Sequence, residues 1–477
     1  MNLLLDLKIL GWMMVGIGGF QIFPLIAALI YGEPVRPYAA TAVVALIYGF
    51  AIALSIHPKD RRMRARDGFL VVSGAWLLAS GIGALPYYLA DVLSPLDALF
   101  ESVAGFTTTG SSVLSRLEEA PRSLLVWRSL TQWLGGMGII VFTIAVLPLL
   151  GVGGMQLFRA EVPGPVSDKL TPRITVTARR LWLIYLGVTL LAFVSLRLAG
   201  LSGFDAFCHG LTTAATGGFS TRAGSIGAFG IPAVEWVVIV FMVIGGINYV
   251  LHYRLLTGGA RGVLRDGELH FFLAILVLCV GSVTWLLAET GSVEAPLRAS
   301  AFQVVSLLTT TGYVTADYEL WPAFFQFLVV PLLMVGGMAG STSGGIKTLR
   351  VLIGLRAMRA YVLRLSHPLA VRPIRYAGRL VGDDVVTGIA IFLLAYFAIA
   401  MGAAMVVAAG GYDVVTAITA ALTAIGNVGP ALGEAGPTDT FAHFPTSAKL
   451  ALCFCMIAGR LELFTLLVLF EPHFWRR

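Results

Sequence analysis

Leu308-Thr309-Thr310-Thr311-Gly312-Tyr313 is a short polar stretch between two long apolar runs, and three more stretches like it occur in the chain. Aligned on one glycine, they are Phe106-Thr107-Thr108-Thr109-Gly110-Ser111, Ala214-Ala215-Thr216-Gly217-Gly218-Phe219 and Leu422-Thr423-Ala424-Ile425-Gly426-Asn427. Successive glycines stand 108, 94 and 114 residues apart. Self-similarity at a long, nearly constant period is the mark of a repeated architecture.

Working outward, each stretch has an apolar helix on either side. The pattern predicts first helices near 69–91, 181–200, 269–289 and 385–408. Second helices are expected near 126–150, 234–253, 322–362 (interrupted) and 446–470. Two more spans, 9–30 and 37–56, precede the repeats; the first is long enough to cross the ~30 Å hydrocarbon core and reads as a retained helix. Alternate units would invert unless each middle segment enters the membrane and returns on the same side. The expected fold is therefore an all-α membrane protein. Four pseudo-symmetric helix–pore loop–helix repeats surround one pore, and two N-terminal transmembrane helices are added to them. The expected divisions are 1–67, 68–155, 156–260, 261–365 and 366–477.

Composition agrees with this reading. Hydrophobic residues make up 57% of the 477 and charged residues only 12%, against about 25% in soluble domains. The net charge of +7 is placed for a membrane, not for nucleic acid. Lys8, the loops 57–67, 156–180, 254–268 and 347–384 and the C-terminus hold 24 of the 33 Lys and Arg. By the positive-inside rule that face, with both termini, is cytoplasmic. Asp91, Asp97, Glu101, Glu118, Glu119, Asp317, Glu319 and Glu434 fall on the opposite face, where acidic charge concentrates cations or simply solvates loops. Cys208, Cys279, Cys453 and Cys455 lack metal or redox spacing, and the seven histidines form no ligand cluster.

The residue types of the loops point to cation passage. A dehydrated alkali ion needs a ring of oxygens, and backbone carbonyls supply it without net charge. Glycine permits the φ values that aim successive carbonyls inward, and threonine adds a hydroxyl. The candidate ion-binding residues are Thr108, Thr109, Gly110, Thr216, Gly217, Gly218, Thr310, Thr311, Gly312, Ala424, Ile425 and Gly426. The short helix before each loop would point its partly negative C-terminal end at the pore centre.

Glycines also recur in the second helices, at Gly135-Gly136, Gly245-Gly246, Gly336-Gly337 and Gly459. They stand 25, 27, 24 and 33 residues beyond their aligned loop glycines. In units one and two they read as close helix packing. In unit three, Gly336-Gly337-Met338-Ala339-Gly340-Ser341-Thr342-Ser343-Gly344-Gly345 cannot stay helical, since each glycine costs about 0.8–1 kcal/mol against alanine. Unwound chain at membrane depth needs a polar cavity, so Gly336, Gly337, Gly340, Ser341, Thr342, Ser343, Gly344 and Gly345 are expected to form a gate loop, with Lys347 at its cytoplasmic end. Arg460, mid-span, is expected to face the pore near that loop, as a barrier or as an anchor for its carbonyls. Glu462, two positions on, is expected to point elsewhere around the helix. It is the only acid well inside a span, which favours a passive pore over a transporter coupling potassium to sodium or protons. No paired catalytic carboxylates or nucleophile sets occur in the spans, so no enzyme is expected.

Taken together, Thr107–Ser111, Thr216–Thr221, Thr309–Tyr313, Gly426–Pro430, Gln132–Gly138, Gly336–Lys347 and Gly459–Thr465 resemble the TrkH/KtrB/HKT superfamily of potassium transporters. With its two extra N-terminal helices the chain looks most like the bacterial TrkH branch. The resemblance implies potassium as the transported ion at the loop residues, with no organic cofactor in this chain. It also implies a bacterial inner-membrane homodimer with one pore per subunit, a cytosolic TrkA-like nucleotide-binding regulatory subunit, and gating by the interrupted third-unit helix. Relatives that prefer sodium tend to carry serine at the first loop glycine, and glycine at all four positions here implies potassium preference. The Arg-rich stretch from Arg350 to Arg379 is expected to dock the regulatory subunit or bind anionic membrane lipid.

Overall fold

The computed structural model describes residues 1–58, 64–145, 170–291, 293–367, 373–377 and 379–476. The expected boundary at 155/156, the end of the first inner helix beyond Ala145 and parts of the Arg-rich segments lie outside the described residues.

Four units follow an N-terminal layer, each with an outer helix, a short pore helix and an inner helix. The outer helices are Ala65–Leu89, Leu170–Leu198, Gly267–Thr290 and Asp383–Ala409. The pore helices are Pro95–Phe106, Gly203–Ala214, Pro296–Leu308 and Val414–Gly426. The inner helices begin at Arg122–Ala145, Pro232–Gly246, Ala323–Val335 and Thr446–Arg460. Local sequence sets where the pore helices start. Ser94 and Ser202 accept the backbone N–H of Asp97 and Asp205, Asp413 accepts those of Val415 and Thr416, and proline opens the first and third helices. The caps satisfy N–H donors that have no partner inside the helix, and proline removes one such donor.

The apolar pattern is inverted relative to a soluble protein. Leu190, Leu191, Val277, Leu278, Leu394 and Met405 are exposed on the outer helices, whereas Thr107, Thr109, Thr309 and Thr311 are fully buried. The solvent this surface faces is hydrocarbon. The outer spans of units two to four are 28%, 28% and 33% buried, whereas that of unit one is 61% buried, because the N-terminal helices Leu3–Phe20 and Arg36–Ser55 cover it. Gly11 and Gly49 let those two helices touch; a Cβ on either would stand 3.0 or 2.9 Å from the other's carbonyl oxygen.

Polar contacts on the pore-loop side join each unit to the next. Arg128 donates to Ser220 O (2.8 Å), Gly227 N to Val314 O (3.1 Å) and Tyr318 Oη to Ala431 O (2.9 Å). Phe441 N donates to Ser112 O (2.9 Å) and Lys449 pairs with Asp97 (2.6 Å), which brings unit four back to unit one. Among the described residues, the departure from helix is a two-stranded antiparallel pairing of Arg375–Tyr376 with Arg379–Leu380.

The inner helices depart from expectation in two units. Unit two turns by 97° between Gly246 and Tyr249, and unit four by 109° between Arg460 and Phe464. The glycines of unit two are therefore not simple helix packing. The Gly246 carbonyl is taken by Met338 N (2.9 Å) instead of a residue further along its own helix, and Asn248 caps a new helix through Val250 N (2.8 Å). In unit four, Glu462 and Leu463 both take positive φ, +58° and +55°.

Candidate functional site

Gly110, Gly218 and Gly312 occupy left-handed backbone at φ +82°, +81° and +77°, each two residues after a threonine at about +50° (Thr108, Thr216 and Thr310). The same double reversal occurs in unit four at Asn427 (+54°) and Gly429 (+113°), not at Gly426. Hydrogen bonds give the same register. Thr109, Gly217 and Thr311 donate to carbonyls five residues back, and in unit four Val428 does so, to Thr423 O at 3.0 Å. The fourth loop is thus Asn427-Val428-Gly429-Pro430, three residues later than the sequence alignment. Ala424, Ile425 and Gly426 belong to the last turn of the pore helix. Gly426 is glycine for another reason: a Cβ there would overlap the Leu333 carbonyl of the third inner helix.

With this register the four loops close on one another. A Cβ at Gly110 would overlap the carbonyl oxygen of Gly217, one at Gly218 that of Thr311, and one at Gly312 that of Val428. A Cβ at Gly429 would come within 2.8 Å of Thr109 O. Each glycine meets the carbonyl just before the next unit's glycine, and the fourth returns to the first. Glycines and carbonyl oxygens alternate around a single ring, to which all four pore helices lead with their C-terminal ends.

The expected gate residues lie against one end of this ring. The third inner helix stops at Val335 and resumes at Thr348, and the intervening loop is almost wholly buried. Its apex reaches two of the four loops: Thr216 donates to Thr342 Oγ1 (3.1 Å), and Gly344 N donates to Thr310 Oγ1 (2.6 Å). The corresponding Thr108 Oγ1 and Asn427 Oδ1 are buried without a hydrogen-bond partner among the described residues. Arg460 donates to Thr342 O (2.8 Å) and Gly135 O (3.2 Å), so it grips the apex from unit four and ties it to unit one. Lys347, at φ +78°, donates to Ser343 O. Gly336, Gly340 and Gly345 all take positive φ, and Ser341 Oγ donates to Met338 O (2.6 Å).

Several partners of this loop were not evident from the sequence. Glu268, fully buried at the start of the third outer helix, accepts from Ala339 N (2.7 Å) and Thr348 Oγ1 (2.8 Å), holding both limbs of the loop at once. Arg350 donates to Ile346 O (3.0 Å) and pairs with Glu462. Glu462 turns away from Arg460 as expected, though not around a continuous helix: the reversal at 462–463 sends it to Arg350. Gln132, on the first inner helix, props the second loop, donating to Gly217 O and accepting from Phe219 N (3.0 Å).

Set against known proteins, residues 38–477 match the family model TrkH, described as cation transport protein. The Trk system potassium uptake protein TrkH of Salmonella typhimurium is 39% identical over 98% of both chains, and that of Escherichia coli K12 likewise. The potassium transporter TrkH from Vibrio parahaemolyticus has a crystal structure that superimposes with a TM-score of 0.92, at 35% identity over the whole of both chains. The chain belongs to the TrkH family.

As a TrkH-family member it is an integral membrane transport protein and not an enzyme. The family also fits the inverted apolar surface and the spans described above. Within this TrkH-family chain, one sequence signal did mark the displaced fourth loop. Counted from Gly426, the inner-helix glycine Gly459 came 33 residues later, against 24 to 27 in the other units. Gly429-Pro430 narrows that gap.

Proposed function

We propose that this protein takes up potassium through a gated, channel-like pore whose selectivity filter is the ring of four loops. The observation that carries the reading is the alternation of Gly110, Gly218, Gly312 and Gly429 with the carbonyl oxygens of Gly217, Thr311, Val428 and Thr109. Main-chain oxygens at that density replace the hydration shell of an alkali ion, and four pore-helix C-termini add negative potential. The potassium uptake named for its relatives supports the choice of ion. Glu462 is engaged by Arg350 and Glu268 by the gate loop, so neither is a ready co-ion carboxylate.

The test is rubidium-86 flux into proteoliposomes with and without a sodium or proton gradient. Flux that follows the rubidium gradient alone is the expected outcome, and an absolute requirement for the co-ion gradient would defeat the pore. Gating belongs to the Gly336–Lys347 loop in this reading, because its apex abuts the filter and four charged residues hold it. Deleting Gly340–Gly345 should raise basal flux, and unchanged flux in a folded variant would remove the loop from that role.

The broader assembly follows the family pattern: an inner-membrane homodimer with cytoplasmic termini, one pore per subunit, divided into units as the sequence suggests. A TrkA-like nucleotide-binding subunit would dock on the cytoplasmic basic surface that continues from the gate through Thr348–Ser366. Co-purification of the full chain with such a subunit, and its loss on neutralising Arg356, Arg359 and Arg364, tests that arrangement.

A further inference from the structure

Behind the filter, nine residues before each filter glycine, stand Glu101, His209, Gln303 and Ala420. The first three do similar work. Each bonds the limb of its own loop that leaves the filter. Glu101 accepts from Ser112 Oγ (3.0 and 3.2 Å) and Val113 N (2.9 Å). His209 Nε2 meets Ser220 Oγ at 2.9 Å. Gln303, with its amide turned to suit its neighbours, accepts from Thr315 N (2.9 Å) and Ala316 N (3.1 Å). Ala420 has no polar group to offer.

Among the described residues, unit one alone adds a cation to this position. Arg128, on the first inner helix, lies 2.6 Å from Glu101, and the two side chains are 3% and 0% exposed. Its Nη1 donates across the unit boundary to Ser220 O (2.8 Å), and its guanidinium sits 3.5 Å from the centroid of the Phe219 ring. Phe219 and Ser220 directly follow filter glycine Gly218, and Ser112 and Val113 closely follow Gly110. One charged pair therefore fastens the outgoing limbs of two adjacent filter loops to each other. A neutral hydrogen bond would be a cheaper way to hold a fold, since burying two charges carries a desolvation penalty that their attraction does not always repay. What the pair adds is planar, multi-point geometry: a guanidinium fixed at once by a carboxylate, a carbonyl and an aromatic face.

We propose that Glu101 and Arg128 are positioning residues for ion selectivity, a clamp that keeps loops one and two from closing in around an ion smaller than potassium. Neither residue touches the ion. The inference rests on the filter reading given above. It makes the filter's discrimination depend on a charged pair present in one unit of four, so damage there acts on one side of the ring.

The experiment is the reversal potential of the full-length protein in planar bilayers under potassium on one side and sodium on the other. That potential does not depend on how many pores are folded. Glu101→Gln, which keeps the shape and loses the charge, and Arg128→Lys, which keeps the charge and loses the fork, should each lower the potassium-over-sodium permeability ratio about tenfold. The exchange Glu101→Arg with Arg128→Glu should recover part of it. Gly110→Ser serves as the control. If Gly110→Ser and the clamp variants all leave the ratio unchanged, the filter reading fails; if Gly110→Ser shifts it and the clamp variants do not, only the clamp fails. For variants that fold without conducting, protection of the melting temperature by potassium against sodium gives the same comparison, and equal protection relative to the unmodified protein overturns the proposal. Failure of both conservative variants to fold also overturns it, by assigning the pair to the fold alone.

Discussion

Loops one and three of the ring each carry a pair of bonded threonine hydroxyls, whereas loops two and four lack that pair and share a side-chain bond with a neighbouring unit. Loop four also keeps Thr423 Oγ1, which accepts from Gly429 N and donates to Pro430 O, both at 2.9 Å. In loop one, Thr107 Oγ1 donates to Val103 O (2.6 Å) and meets Thr109 Oγ1 at 2.8 Å. Loop three repeats this with Thr309, Val305 O (2.7 Å) and Thr311 (2.8 Å). The corresponding residues of loop two are Ala215 and Gly217, and those of loop four are Gly426 and Val428. Neither loop has the hydroxyl pair. Loop two takes Gln132 from the first inner helix, and loop four uses Asn427, whose Nδ2 donates to Thr109 Oγ1 and Met456 O, both at 2.9 Å. Opposite loops are alike and adjacent ones differ, so a ring that is fourfold in backbone is only twofold in how it is held. Hydroxyl-paired loops alternate with propped ones, and each prop is a place where a substitution outside the loop can reach the ring.

The largest effect should come from testing the register on which this comparison stands. Gly429→Ser places a side chain at φ +113° beside Thr109 O, while Gly426→Ser places one in a helix against Leu333 O. Gly429→Ser should shift the potassium-sodium reversal potential. Gly426→Ser should lower the yield and melting temperature, and any pores that form should keep the original potential. The opposite assignment of effects would restore the earlier alignment and break the pairing of loops two and four.

Next in size is the contrast between a prop and a hydroxyl. Gln132→Leu leaves the Phe219 N–H and the Gly217 carbonyl without their partner, and each buried polar group left unpaired costs about 1–3 kcal/mol. Thr309→Val removes one hydroxyl pairing from a loop that keeps its other bonds, a loss of about 1 kcal/mol. Thermal melts in detergent with potassium present should show the Gln132 variant falling about two- to sixfold further in stability, by that same reckoning. Equal losses would mean that loop two carries its own support after all.

The same contrast explains what could be read from the sequence. Three loops announced themselves because threonine and glycine sit at fixed places around one reversal, the apolar runs placed the spans, and the glycine run from Gly336 to Gly345 placed the interruption of the third inner helix. The fourth loop was misread by three residues because it offers two glycines, Gly426 and Gly429, and its Thr423 stands three residues before Gly426, as Thr107 and Thr309 stand before Gly110 and Gly312. What decides is the end of the pore helix, set by packing against Leu333 O and not by any local motif. The breaks at Gly246 and Arg460 were equally hidden. They coincide with contacts to the loop of unit three: in unit two its Thr342 and Met338 donate to the Gly245 and Gly246 carbonyls at the helix end, and in unit four Arg460 at the helix end donates to its Thr342 O. Long-range partners such as Glu268 to Ala339 N, or Arg350 to Glu462, leave no trace in spacing.

The smallest effect expected is at a prop on the outer limb of loop four. Glu319, in the loop of unit three, accepts from Gly433 N at 2.5 Å, so unit three helps hold unit four. Partial burial, with the charges of Asp317, Asp439 and Asp413 adding to it, raises its pKa above the ordinary glutamate value, and the Gly433 hydrogen bond opposes the shift without cancelling it. A carboxyl whose folded pKa is raised binds its proton more tightly in the native state, so the stability it contributes is complete below the unfolded pKa and is lost as pH rises through the folded one. At neutral pH the ionised Glu319 therefore costs stability that a neutral acceptor avoids. Glu319→Gln should melt slightly higher than the unmodified protein at pH 7, and the gap should narrow as the pH falls toward about 4.3, the unperturbed value. A gap that widens on acidification would mean that the charge itself holds Gly433, and that loop four relies on an ionic prop where loop two relies on an amide.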